Sequence, residues 1–179
     1  MIIFTFFENR ASIIFYWRSE ILRKCLRMIG LVAVLFWAIE AQCPSECKCI
    51  LNTVRCYQAG LDQIPTEFPR NAELIDLREN NIQRIEKRSF GELPSLSVLL
   101  LSKNRIKYIS PYAFTGMMNL GILFLNENEL PNLDMNVFHN LKKLKKLFLY
   151  KNKLEKLDTH VFDAMVRLEV IRLDDNKLR

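Results

Sequence analysis

From about residue 72 the chain carries a pattern of apolar and polar positions that restarts every 24 residues. Its clearest copy runs from Leu144 to Leu154, Leu-Lys-Lys-Leu-Phe-Leu-Tyr-Lys-Asn-Lys-Leu. Three columns keep the same step without an insertion: Asn80, Asn104, Asn128, Asn152 and Asn176; Phe90, Phe114, Phe138 and Phe162; and Leu93, Met117, Leu141 and Met165. Each copy also holds an apolar pair two residues apart: Ile75 and Leu77, Leu99 and Leu101, Leu123 and Leu125, Leu147 and Leu149, Ile171 and Leu173. A spacing of two is the side-chain period of a β-strand, so each pair predicts a short strand with those residues turned inward.

One such unit cannot bury its apolar face alone, but stacked units share a continuous core. The asparagine follows the strand where the chain must turn. If buried it must be hydrogen-bonded, and its amide can reach the backbone of adjacent coils. The phenylalanines fill the wider, convex side. The expected fold is an α/β solenoid, a curved horseshoe with a parallel sheet on its concave face. Its units span 72–95, 96–119, 120–143, 144–167 and a partial 168–179.

The outward positions of the predicted strands line up as three columns. They are Leu74, Val98, Ile122, Lys146 and Val170; Asp76, Leu100, Phe124, Phe148 and Arg172; and Arg78, Ser102, Asn126, Tyr150 and Asp174. Solvent-facing sheet positions are usually polar, and a contiguous apolar patch marks a binding surface. The expected ligand-binding residues are therefore Val98, Leu100, Ile122, Phe124, Lys146, Phe148, Tyr150 and Arg172, an aromatic strip edged with charge, as protein interfaces use. A second feature is the lysine cluster Lys142, Lys143, Lys145, Lys146, Lys151, Lys153 and Lys156. Outside the cell it would suit a sulfated glycosaminoglycan or an acidic protein, and otherwise it is a solvated edge.

The N-terminus reads differently. Arg23, Lys24 and Arg27 precede an apolar run from Met28 to Ile39, and Ala41-Gln42 follows. A basic segment, about a dozen apolar residues and a small residue form a secretory leader, and the run is short of the roughly 20 residues a membrane span needs. Residues 1–41 are expected to act as a signal peptide with an extended N-terminal tail, or as an uncleaved anchor that holds the rest on the extracellular face. A true start at Met28 is the further option. The chain's formal net charge is +6, and residues 1–41 hold five basic and three acidic residues, so without them it is +4.

Cysteine usage agrees with export. Cys43, Cys47, Cys49 and Cys56 follow the leader, while Cys25 lies inside it. Their spacing lacks the paired C-x-x-C halves of a zinc ribbon, so two disulfides are expected rather than a metal. Three pairings are possible and the spacing does not choose among them.

Cys43-Pro44 through Cys56, then Gly60-Leu61, Ile64-Pro65 and Phe68-Pro69, resemble the N-terminal cysteine cap of extracellular leucine-rich-repeat proteins. The 24-residue units resemble the typical repeats of Slit, matrix proteoglycans and Toll-like ectodomains. Thr53-Val54-Arg55-Cys56, Ile75-Asp76-Leu77-Arg78, Leu147-Phe148-Leu149-Tyr150-Lys151-Asn152 and Ile171-Arg172-Leu173-Asp174 also resemble the N-terminal leucine-rich region of the peroxidasin family. The resemblance implies disulfides Cys43 to Cys49 and Cys47 to Cys56, within a cap over 42–71 that covers the open end of the first coil. It also implies a second cap beginning Cys-x-Cys beyond the last repeat. The chain stops at Arg179 partway through a repeat, so a fragment of a longer polypeptide is expected.

The function expected is an extracellular protein or matrix interaction module that binds on its concave face. The alternative is the N-terminal fragment of a peroxidasin-like extracellular haem peroxidase whose catalytic domain lies beyond this chain. No nucleophile stands beside a base, no glycine loop cradles phosphate and no metal cluster is spaced for ligation, so neither catalysis nor a cofactor is expected. His139 and His160 are read as surface residues of the convex side. An exported chain is a poor fit to nucleic acid despite its basic run. No N-x-[ST] sequon occurs, so N-glycosylation is not expected.

Overall fold

The computed structural model describes residues 43–179, and the leader expected over 1–41 lies outside them. The expected strands form at the repeated apolar pairs. In chain order they are β1 (Lys48–Ile50), β2 (Thr53–Arg55), β3 (Leu74–Asp76), β4 (Arg84–Ile85), β5 (Val98–Leu100), β6 (Tyr108–Ile109), β7 (Ile122–Phe124), β8 (Lys146–Phe148) and β9 (Val170–Arg172). A seven-stranded sheet runs β1-β2-β3-β5-β7-β8-β9, and β4 pairs with β6 in a separate two-stranded sheet. From β3 to β9 every pairing is parallel and in register, with Leu74 beside Val98, then Ile122, Lys146 and Val170.

The alternation works as the pattern predicts. Ile75, Leu77, Leu99, Leu101, Leu123, Leu125, Leu147 and Leu149 are fully buried. Ile171, on β9 at the edge of the described sheet, is 37% exposed. Behind the sheet runs a phenylalanine spine. Phe68, Phe90, Phe114 and Phe138 stack with ring centroids 6.0, 6.3 and 6.2 Å apart. The cap thus supplies the first ring of a column that the repeats continue.

The asparagine ladder is complete across the five units. Asn128 donates through Nδ2 to the carbonyl of Leu101 in the preceding coil (3.0 Å) and to Leu125 in its own (3.0 Å), and its Oδ1 accepts from the Ile106 N–H (3.1 Å). Asn80, Asn104, Asn152 and Asn176 repeat that arrangement. Among the described residues no buried side-chain polar atom lacks a partner.

The residue before each asparagine is left-handed: Glu79, Lys103, Glu127, Lys151 and Asp175 have φ of 57°, 57°, 57°, 54° and 55°. None is glycine, so each carries strain of about 1 kcal/mol. In return the first four amides point at the next coil, donating to the carbonyls of Ser102, Asn126, Tyr150 and Asp174. These five side chains alternate in sign throughout, and Lys103 Nζ lies 3.0 Å from Glu79 Oε1.

The convex side is made of consecutive turns, with no α-helix among the described residues. Hydrogen bonds three residues apart, such as Leu141 N–H to Phe138 O and Leu144 N–H to Leu141 O, close the returns one after another. Left-handed residues in the first returns, Arg88 and Tyr112 at φ 60°, cannot join a right-handed helix. Gly116 has φ +95°, and a Cβ there would lie 2.8 Å from the Gly91 carbonyl oxygen, so the returns pack too closely for any larger residue.

At the N-terminal end, β1 and β2 form an antiparallel hairpin tied by disulfides Cys43–Cys49 and Cys47–Cys56. That is the pairing the resemblance implies. Val54 and Cys56 are buried against the first coil, and β2 joins β3 in parallel.

Candidate protein-interaction face

The concave surface is built from residues alternate to the buried pairs. Val98, Leu100, Ile122, Phe124, Phe148 and Tyr150 come together as one strip and are each half-buried, because neighbouring side chains shield one another. Phe124 and Phe148 stack at 4.2 Å between centroids and 11° between planes. Their registered strands set this spacing, since residues side by side in a sheet are separated by about 4.8 Å. Lys146 and Arg172 are exposed at the border of the strip.

Not every outward position is open. Asp76, Ser102 and Asn126 are buried at 6%, 6% and 3% exposure. Ser102 Oγ donates to Asn126 Oδ1 at 2.7 Å, and Asp76 accepts from the Arg78 backbone N–H, Nε and Nη2. These short polar side chains lie flat and bond their neighbours, while the longer aromatic ones rise above them.

An arginine clamped by an aspartate closes each end of the strip. Arg172 Nε and Nη2 donate to Asp174 at 2.6 and 2.8 Å, and the guanidinium lies over the Tyr150 ring, 5.1 Å from its centroid. The guanidinium beside it holds the Asp174 carboxyl below the usual carboxylate range. At the other end Arg78 is held by Asp76 and lies 5.6 Å from the Tyr57 centroid.

Tyr57 belongs to the cap, and the face continues there. Registration places Thr53 beside Leu74 and Arg55 beside Asp76, and sets Lys48 opposite Arg55 and Ile50 opposite Thr53. Lys48, Ile50, Thr53 and Arg55 therefore share the concave surface, a contribution that reading the 24-residue columns missed. The available signal was the match of Thr53-Val54-Arg55-Cys56 to Leu74-Ile75-Asp76-Leu77, displaced by 21 residues rather than 24.

The lysine cluster does not stay together. Lys142, Lys143 and Lys145 precede β8, Lys146 lies on it and Lys151, Lys153 and Lys156 follow it, so the strand, about 10 Å long, separates three of the seven from three others. Lys145 pairs with Glu169 at 3.3 Å and Lys153 with Glu129 at 2.6 Å.

His139 and His160 are both exposed on the convex side. His139 meets the Tyr112 ring edge-on, with centroids 5.8 Å apart. His160 Nδ1 lies 2.9 Å from Asp163 Oδ2, and that hydrogen bond raises its pKa above the usual histidine value. Asp163→Asn should return it towards normal in an NMR titration. A raised pKa favours the folded state below the unfolded-state value, and this contribution fades as pH rises through the folded-state value. An unchanged His160 titration in the variant would contradict the pairing. Among the described residues no three His, Cys, Asp or Glu side chains converge as a metal site.

Residues 70–130 and 118–178 match the family described as Leucine rich repeat. Decorin of Rattus norvegicus is 40% identical over 60 residues, covering 34% of this chain and 17% of decorin. The peroxidasin homolog of Mus musculus is 37% identical over 87 residues, covering 45% of this chain and 6% of that protein. Peroxidasin of Drosophila melanogaster is 33% identical over 78 residues, covering 43% and 5%. The chain thus spans at most 17% of the length of these relatives. Among solved structures, a chain of the TLR13-ssRNA13 complex superposes with a TM-score of 0.70 at 28% identity, covering 74% of this chain and 20% of that one. With repeats, ladder, disulfide-tied end and a family match over most of its length, the chain belongs to the leucine-rich-repeat family.

Proposed function

We propose that this chain is an extracellular interaction module that binds a protein or matrix ligand on its concave face. Residues 1–41 direct export, 42–71 close the solenoid, and 72–179 present most of the face, which Lys48, Ile50, Thr53 and Arg55 extend. The disulfides fit an oxidising compartment. One observation carries the reading: a contiguous strip of Val98, Leu100, Ile122, Phe124, Phe148 and Tyr150 stands where open sheets are normally polar. Stacked rings at its centre are the kind of rigid anchor on which interface energy concentrates. Changing Phe124 and Phe148 together to Glu should weaken partner binding about 100-fold or more, measured by surface plasmon resonance on folded protein. Unchanged binding in the folded double variant would remove the concave face from consideration. A glycosaminoglycan site over Lys142–Lys156 has less support, since β8 separates three of the lysines from three others and two of them are paired.

The matches to two peroxidasins favour a second reading, in which this module is the targeting part of a longer peroxidasin-like enzyme and is not itself the catalyst. Transcript sequencing across the Arg179 codon tests it: a frame continuing into a peroxidase region supports it, and a frame leading into a membrane helix removes it.

A further inference from the structure

The concave face is chemically unequal along its length. At the far end Arg172 is neutralised by Asp174, and the stacked Phe124–Phe148 centre has a single cation, Lys146, at its border. At the cap end Lys48 and Arg55 sit directly opposite each other in the β1–β2 hairpin, both exposed. Neither forms an ion pair among the described residues. Asp76, the neighbour of Arg55 in the next strand, is not available to it, because the carboxylate is buried and bonded three times by Arg78. Like charges opposite each other destabilise a hairpin, so nothing within the fold accounts for this pair. Its surroundings also differ from a solvated edge. Ile50 (61% exposed) and Tyr57 (46% exposed) flank it, and the hairpin is braced by two disulfides and by Asn52 bonding Glu73.

The geometry points to a directional site: the concave face takes an extended protein segment whose aromatic side chain sits on Phe124 and Phe148 and whose carboxylates lie on Lys48 and Arg55. This rests on the concave-face reading above and specifies the partner's chemistry and orientation. Arg55 is three strand steps from Phe124 and four from Phe148, about 14 and 19 Å at the spacing of a sheet. An extended peptide covers that distance in about four to six residues. Two adjacent free cations at one end of an apolar strip, against the single Lys146 at its middle, suit a short acidic stretch with an aromatic a few residues away. A long polyanion would require positive charge along the whole face, whereas beyond the cap Arg78 and Arg172 are each held by an aspartate and Lys146 stands as a single cation.

The test is panning of a random 16-residue peptide library displayed on phage against the full chain. Lys48→Glu/Arg55→Glu and Phe124→Glu/Phe148→Glu variants, shown to be folded by circular dichroism, serve as parallel baits. The expected consensus pairs an aromatic with acidic residues about four to six positions away. The cap variant should lose the acidic preference while keeping the aromatic one, and should bind the selected peptides about tenfold more weakly. The phenylalanine variant should lose the consensus altogether. An aromatic consensus without acidic preference, or an acidic preference that survives the cap variant, overturns this inference and leaves the concave-face reading standing. A consensus indifferent to the phenylalanine variant, polyanionic peptides without an aromatic, or no consensus at all overturns both.

Discussion

Replacing Asn128 with alanine should destabilise the protein by about 4 kcal/mol, read from urea unfolding. The side chain contributes little apolar area, so the loss comes from what it leaves behind. The N–H of Ile106 loses its partner in a buried site between two coils, and the carbonyls of Leu101 and Leu125 each lose one of the two asparagine amides they accept, keeping those of Asn104 and Asn152. The orphaned N–H costs about 1–3 kcal/mol when water cannot replace the bond, and each of the two lost carbonyl bonds costs about 0.5–1.5 kcal/mol. Asn176→Ala provides the control. It makes the same contacts with Leu149, Leu173 and Leu154, but in a half-exposed position where water can substitute, so about 1 kcal/mol is expected. Equal losses at the two positions would mean that the ladder is not what joins the coils.

Phe114→Ala should cost a similar amount, about 4 kcal/mol. The ring is 1% exposed and stacks on Phe90 and Phe138, so truncation opens a hole bounded by two coils besides its own. Neighbouring coils cannot collapse into it, because their spacing is held by the sheet on the opposite side. Phe162→Ala, at a partly buried position, should lose well under half as much in the same thermal or urea measurement. A Phe114→Ala loss below that of Phe162→Ala would show that the convex turns yield far more easily than the stacked rings imply.

Both effects act on columns that could be read directly from the sequence, because each coil places the same residue type at the same depth. The strands, the ladder, the spine and the apolar strip were legible for that reason. What escaped depended on neighbours that a column does not describe. Asp76, Ser102 and Asn126 occupy outward positions yet are buried, since a short polar side chain can bond beside its own strand. The seven lysines are close in sequence, but a three-residue strand that itself carries Lys146 separates Lys142, Lys143 and Lys145 from Lys151, Lys153 and Lys156. Lys48, Ile50, Thr53 and Arg55 were hidden because the first coil is shorter by three residues than its successors (a step of 21 rather than 24), which takes them out of every column. The turns of the convex side follow from left-handed residues such as Arg88 and Tyr112, whose side chains give no sign of that conformation.

The strained corner before each asparagine also gives the coils an order. Its side chains run Glu79, Lys103, Glu127, Lys151 and Asp175, so adjacent coils meet with opposite signs at every step. If residues 96–119 and 120–143 were exchanged, the apolar core would be nearly unchanged, but Glu79 would face Glu127 and Lys103 would face Lys151. The repeats share one shape without being interchangeable parts. A gene that duplicated or shuffled them would conserve the fold and disturb the sequence of charges along its rim.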